Sequence, residues 1–273
     1  MLRLDNLTHS FGGLQVLGGL SLEIKRGDFI AIVGPSGCGK TTLLNLLSGY
    51  VAPTSGKIIC EGRARSVYQQ NGLFPWLTAR ENIGLGLRHL KTKAEKNARF
   101  AEMLELVGLN GFAEHYPSQL SGGMRQRVEL ARALAGECEI LLLDEPFSSL
   151  DYLNALRLRQ ELARILETAP RAVALVTHNI EEAAQLADRI VVLSERPATI
   201  RCVLEVNLAR PRSLSHPRVV NAARQVLEVM GLAQKEPDCL ISAPRDIAVD
   251  EVETAVKANG HYAARLARVV EKQ

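Results

Sequence analysis

Gly34-Pro-Ser-Gly-Cys-Gly-Lys-Thr41 decides how this chain is read. It fits glycine, four residues, then Gly-Lys-Ser/Thr. Glycines let the backbone curl so that successive N–H groups face a polyphosphate. Lys40 can reach the β- and γ-phosphates as a point charge, and the Thr41 hydroxyl can take a Mg2+ position. The flanks agree. Phe29-Ile-Ala-Ile-Val33 is continuously apolar, as a strand buried on both faces should be. Thr42 to Ser48, carrying Leu43, Leu44, Leu46 and Leu47, reads as a helix ended by Gly49. The competing reading is a glycine-rich turn without a ligand, and the strand before and helix after weigh against it.

Two stretches downstream gain meaning from that loop. Ile140-Leu-Leu-Leu-Asp-Glu-Pro146 reads as a buried strand that delivers Asp144 and Glu145 at its C-terminal edge. Beside a phosphate loop, Asp144 can hold Mg2+ through water and Glu145 can polarise an attacking water. Leu120-Ser-Gly-Gly-Met-Arg-Gln-Arg127 opens a helical pattern that runs to Ala135. Its start offers a hydroxyl and unpaired N–H groups to an anion. Alone, these would be a core strand before a loop and a turn before a helix.

With these motifs in order, the chain resembles the nucleotide-binding subunit of an ATP-binding-cassette transporter over residues 1 to about 205. Leu120 to Met124 is similar to the family's signature sequence. The resemblance implies a P-loop NTPase (RecA-like) α/β fold. Its parts are a mainly parallel sheet core, an N-terminal antiparallel β subdomain, an inserted α-helical subdomain near 71–135 and a helical C-terminal extension over 206–273.

It implies ATP and Mg2+ as cofactors, with ATP held by Gly34, Pro35, Ser36, Gly37, Cys38, Gly39, Lys40, Thr41 and Thr42. Phe11 falls where the family stacks an aromatic on adenine, although a core position would also explain it. Gln69 resembles the glutamine that links metal and water to the membrane partner, or is a surface amide. Metal would rest on Thr41, Gln69 and Asp144. Catalysis would fall to Lys40, Gln69, Glu145 and His178, the last in Thr177-His178 after the apolar run Val173–Val176. Ser121, Gly122, Gly123 and Asp151 would contact nucleotide across a head-to-tail pair of subunits. Asp151 could equally cap the helix that follows it.

Composition limits the alternatives. At 273 residues the chain holds one large domain, or one with a small appendage. No run reaches eighteen apolar residues, so a membrane span would come from another chain, and Met1-Leu-Arg-Leu-Asp5 lacks the apolar core of a signal peptide. A net charge of +3 without basic blocks argues against nucleic acid. Five scattered cysteines, Cys38, Cys60, Cys138, Cys202 and Cys239, contain no C-x-x-C pair and point to a reducing compartment. The expected place is the cytoplasmic face of the cell (inner) membrane, with permease subunits, a second cassette and, indirectly, an external solute-binding protein as partners. A DNA- or ribosome-directed ATPase would need a long coiled-coil insertion or a second cassette. A GTPase would need a guanine-reading Asn-Lys-x-Asp, which does not occur.

Other elements are expected as follows. Leu20, Leu22 and Ile24 alternate with Ser21, Glu23 and Lys25, the pattern of a half-exposed antiparallel strand. Thr92-Lys-Ala-Glu95 reads as a capping box, and Ala94, Ala98, Ala101, Leu104 and Val107 define the predicted inner face of its helix. Asn207 to Pro217 reads as a linker, followed by a helix from Pro217 to Met230 with Val220, Ala223, Leu227 and Met230 on one face. Two short helices are expected within 245–273. Leu73-Phe-Pro-Trp76 follows Gln69 and is either core or a groove wall for a membrane partner. In the family, that segment together with Met124 before Arg-Gln-Arg resembles importers for nitrate, sulfonates, taurine and related small anions.

Overall fold

The computed structural model describes residues 1–68 and 72–232. Gln69 and the helices expected within 245–273 lie outside the described residues.

β1 (Leu2–Phe11) and β2 (Leu14–Ile24) form an antiparallel hairpin, and β4 (Ser55–Cys60) pairs on the far side of β1. Leu20, Leu22 and Ile24 are buried while Ser21 and Glu23 are exposed, as the alternation requires. The second sheet has the order β5-β6-β7-β3-β8-β9. These are β5 (Ala64–Val67), β6 (Ile140–Asp144), β7 (Ala172–Val176), β3 (Phe29–Val33), β8 (Arg189–Leu193) and β9 (Ile200–Glu205). All neighbours are parallel except β9, which returns antiparallel on β8. β9 has no counterpart in the sequence reading, although its alternate residues Ile200, Cys202 and Leu204 are the half-buried ones.

The central strands are apolar throughout because both faces are covered. Phe29, Ala31 and Val33 enter one core cluster, and Ile30 and Ile32 enter the other. The second cluster fills the space beneath the antiparallel sheet and α1 (Lys40–Leu47). The first receives α2 (Ala79–Gly84), α3 (Lys93–Leu106), α4 (Gly122–Ala135), α5 (Tyr152–Thr168), α6 (Ile180–Leu186) and α7 (Pro217–Val229). Helices therefore lie on both faces, and the carboxyl ends of β3, β6, β7 and β8 open at one edge. Ligands of such sheets bind there.

Two helix faces differ from expectation. Thr92 and Glu95 do form a capping box at the start of α3. Leu104 and Val107 are buried as expected, yet Ala94, Ala98 and Ala101 are exposed, and Phe100 and Met103 are buried in their place. Three alanines offer little apolar area, so the larger Phe100 and Met103 set the rotation of the helix. In α7 the buried residues are Val219, Ala222 and Val226, and Val220 is 54% exposed. This helix joins the first core cluster through those three side chains.

Candidate active site

The phosphate loop leaves β3 at Gly34 and runs directly into α1. Gly37 and Gly39 have φ of 75° and 117°, which an L side chain rarely adopts. Gly39 is also sterically fixed, because a Cβ there would lie 2.6 Å from Val16 Cγ1. The start of α1 has no side-chain cap and no acidic residue in its first turn. Its amides thus remain available to an anion. Lys40 is 9% exposed. Its ammonium donates to the carbonyls of Gly34 at 2.8 Å and Pro35 at 3.0 Å, occupying two of its three N–H bonds. Cys38 is buried with its sulfur toward the core, so at that position only the backbone is offered to a ligand.

Beside this loop lies a cavity of about 350 Å3, walled by Ser36, Gly37, Gly39, Lys40, Thr41 and Thr42 on one side and by Glu145, His178 and Arg196 on the other. Glu145 and His178 arrive from neighbouring strand ends. The Glu145 amide donates to the Val176 carbonyl at 2.9 Å, and the Thr177 amide to that of Ile32 at 3.3 Å, continuing the β-ladder into the site. His178 Nδ1 stands 2.9 Å from Glu145 Oε1. Glu145 adopts φ 48°, a left-handed conformation that costs a non-glycine residue about 1–3 kcal/mol and persists only where surroundings enforce it.

Asp144 is 1% exposed. Burial pushes its carboxyl above the usual range, while the Thr41 hydroxyl donating to it and the charge of Lys40 pull it back. Its Oδ1 is buried with no hydrogen-bond partner. A hard divalent cation seeks such an acceptor beside a hydroxyl, and Thr41 and Asp144 therefore fit one.

The remaining expected residues are elsewhere. Phe11 is 54% exposed, packs edge-on against His9 at 4.6 Å and is not on the cavity wall. Ser121 caps α4, accepting from the Met124 amide at 3.2 Å, and Asp151 caps α5, accepting from the Asn154 amide at 3.1 Å. Neither, nor Gly122 or Gly123, reaches the phosphate cavity of the same chain. Gln69 lies outside the described residues. The amides that flank it, of Tyr68 and Gly72, both donate to Glu129 of α4, at 3.2 and 2.9 Å.

Three residues at or around the site escaped sequence reasoning: Gln126, Glu129 and Arg196. Arg196 stands on the β8–β9 turn and donates to the Gly37 carbonyl. Leu73-Phe-Pro-Trp76 divides between the two readings offered for it, with Leu73 buried but Phe74 and Trp76 41% and 68% exposed.

A family model described as "ABC transporter" matches residues 17–148. The nitrate import ATP-binding protein NrtC of Synechococcus elongatus is 44% identical over 74% of this chain, which spans only 32% of that relative. The aliphatic sulfonates import ATP-binding protein SsuB of Bacillus cereus is 40% identical over 79% of this chain and 88% of its own length. Among solved structures, the dimeric MJ0796, a bacterial ABC transporter cassette, superposes with a TM-score of 0.70 at 33% identity, covering 76% of this chain and all of that one. The same cassette in a post-hydrolysis state bound to ADP and Pi gives 0.69 at 32% identity, again over 76% of this chain and all of that one. A phosphate loop beside the acidic end of β6, on a sheet that matches these cassettes, accounts for the likeness, and the chain belongs to the ABC transporter family as an ATP-binding, ATP-hydrolysing subunit.

Proposed function

We propose that this chain drives import of a small anion, of the nitrate or sulfonate type, through a separate transmembrane permease. The substrate class rests on the relatives' names, and the permease on Phe74 and Trp76. Their rings pack at 5.4 Å and stand exposed on the helical subdomain, as a docking wall for a permease helix would. No helix among the described residues is long and apolar enough to cross a membrane. The subunit works at the cytoplasmic face of that membrane, with a solute-binding protein outside.

The observation that carries the catalytic reading is the single cavity shared by Lys40, Thr41, Glu145 and His178. Amides of the loop and the start of α1 hold the ATP phosphates, and Lys40 neutralises their charge. Thr41 and Asp144, with Gln69, would hold Mg2+, which would supply charge neutralisation to the ATP phosphates. Glu145 orients the attacking water. His178 meets the Glu145 carboxylate with Nδ1 and turns its other ring nitrogen to the γ-phosphate. Phe11 stacks on adenine.

Ser121, Gly122, Gly123 and Asp151 act on the ATP of a second cassette, because within one chain they do not reach the cavity. ATP thus closes a head-to-tail dimer and hydrolysis releases it. Replacing Glu145 with Gln should leave ATP binding intact and hold a stable ATP-bound dimer, while turnover falls by about 10²-fold or more. Size-exclusion chromatography with ATP and a phosphate-release assay check both. Near-normal turnover would remove Glu145 from the mechanism.

A further inference from the structure

We propose that Gln126 is a positioning residue that locks the backbone of Glu145 to the helix opening at Ser121. The inference rests on the assignment of Glu145 as the residue that orients the attacking water.

Gln126 is 4% exposed, within the second turn of α4. Both ends of its amide are spent on one turn. Nε2 donates to the Glu145 carbonyl at 2.7 Å. Oε1 accepts from the Ser149 amide at 3.2 Å and from the Ser149 hydroxyl. The Glu145 carbonyl also accepts from the Ser148 amide at 3.2 Å and the Ser148 hydroxyl at 3.0 Å. Gln126 therefore braces this carbonyl from another element, and it bridges the two ends of the turn 145–149.

The brace acts where the backbone most needs one. Glu145 has φ 48°, and only two non-glycine described residues have positive φ. The carboxylate direction follows from that conformation, since a relaxed backbone would swing it away from His178. A donor and an acceptor are both required of residue 126. Glutamate retains the acceptor for Ser149 and loses the donor for Glu145, whereas leucine loses both.

The same helix begins at Ser121, and its first turn lies hard against this loop. A Cβ on Gly123 would come 2.9 Å from the Ser149 carbonyl oxygen. The start of α4 and the turn 145–149 are therefore joined twice, by backbone contact at Gly123 and by the Gln126 amide. A displacement of Ser121 by nucleotide on a second subunit is carried through that joint to Glu145 of its own subunit. Gln126 in this way ties one ATP site of a dimer to the other through a defined contact, not through distance alone.

The test uses the full chain as Gln126→Leu, Gln126→Glu, Ser149→Ala and Glu145→Gln, with ATP affinity measured by nucleotide fluorescence and kcat and KM by phosphate release. Both Gln126 variants should lose about 10²-fold in kcat, the scale of a small misplacement of a catalytic group, with ATP affinity unchanged. Ser149→Ala, which deletes only the hydroxyl contact to the amide, should lose several-fold in kcat at unchanged affinity. A merely structural role would lower the melting temperature without this split between kcat and affinity. Wild-type kcat in a folded Gln126 variant overturns the proposal. Should neither Gln126 variant fold, wild-type kcat in Ser149→Ala overturns it. If Glu145→Gln itself turns over normally, the catalytic reading fails first. If that variant is inert while Gln126→Leu is fully active, only this inference fails.

Discussion

Replacing Glu182 with Gln should make the protein more stable at alkaline pH and leave it little changed near pH 5. Glu182 is 5% exposed in the first turn of α6. One carboxylate oxygen accepts from the Thr177 hydroxyl at 3.2 Å, and the other is buried without a partner. Burial pushes the carboxyl up to about 7 from 4.5, against the opposing pull of Arg159, the Thr177 hydroxyl and His178. The sign follows from linkage. In the window between those two values the folded chain binds more protons than the unfolded one, so stability falls as pH rises. The full loss is about 3 kcal/mol, and about 2–3 kcal/mol of it falls between roughly pH 5 and 8.5. Glutamine keeps an acceptor for Thr177 and has no charge to bury. Urea unfolding of both proteins at those two pH values should show the variant's relative stability rising by that amount. If Arg159 instead held Glu182 ionised, the variant would lose ground as pH rises. An unchanged or reversed difference refutes the reasoning.

Gly39→Ala must accept φ 117° and a Cβ 2.6 Å from Val16 Cγ1, a cost of about 2–4 kcal/mol from strain plus overpacking. Its melting temperature should fall and no longer rise on adding ATP; an undiminished ATP-dependent rise counts against the cradle. Met103 is fully buried, so Met103→Ala should cost about 2–5 kcal/mol in chemical denaturation. Ala98→Glu, on the exposed side of the same helix, should stay within about 0.5 kcal/mol; the opposite ranking would restore the alanine face.

The phosphate loop was legible because its chemistry is consecutive. Gly34 to Thr41 carries the strand exit, the turn and the helix start in one run, so local sequence and local structure coincide. The central strands were legible for a related reason, since burial on both faces leaves unbroken apolar runs such as Phe29–Val33. Gln126 and Arg196 were not legible, because each binds a backbone carbonyl. Gln126 reaches Glu145 across 19 residues and Arg196 reaches Gly37 across 159. A carbonyl is present at every position, so such a contact leaves no complementary residue type to search for. The α3 face failed in its first three positions, and for a different reason. Alanines at helical spacing mimic an inner stripe, but area burial decides the rotation and Phe100 carries more of it.

The signature stretch shows the limit of reading function from one chain. Ser121 and Gly123 were recognisable as an anion-binding helix start, and the helix does begin there with Ser121 as its cap. Yet they are absent from the walls that surround Lys40 and Glu145. A helix start fixed by Gly123 against Ser149 and absent from its own phosphate cavity is open to an anion from elsewhere. Under the proposed function that anion is the phosphate group of ATP on a second cassette, and the half-site is then one side of a dimer.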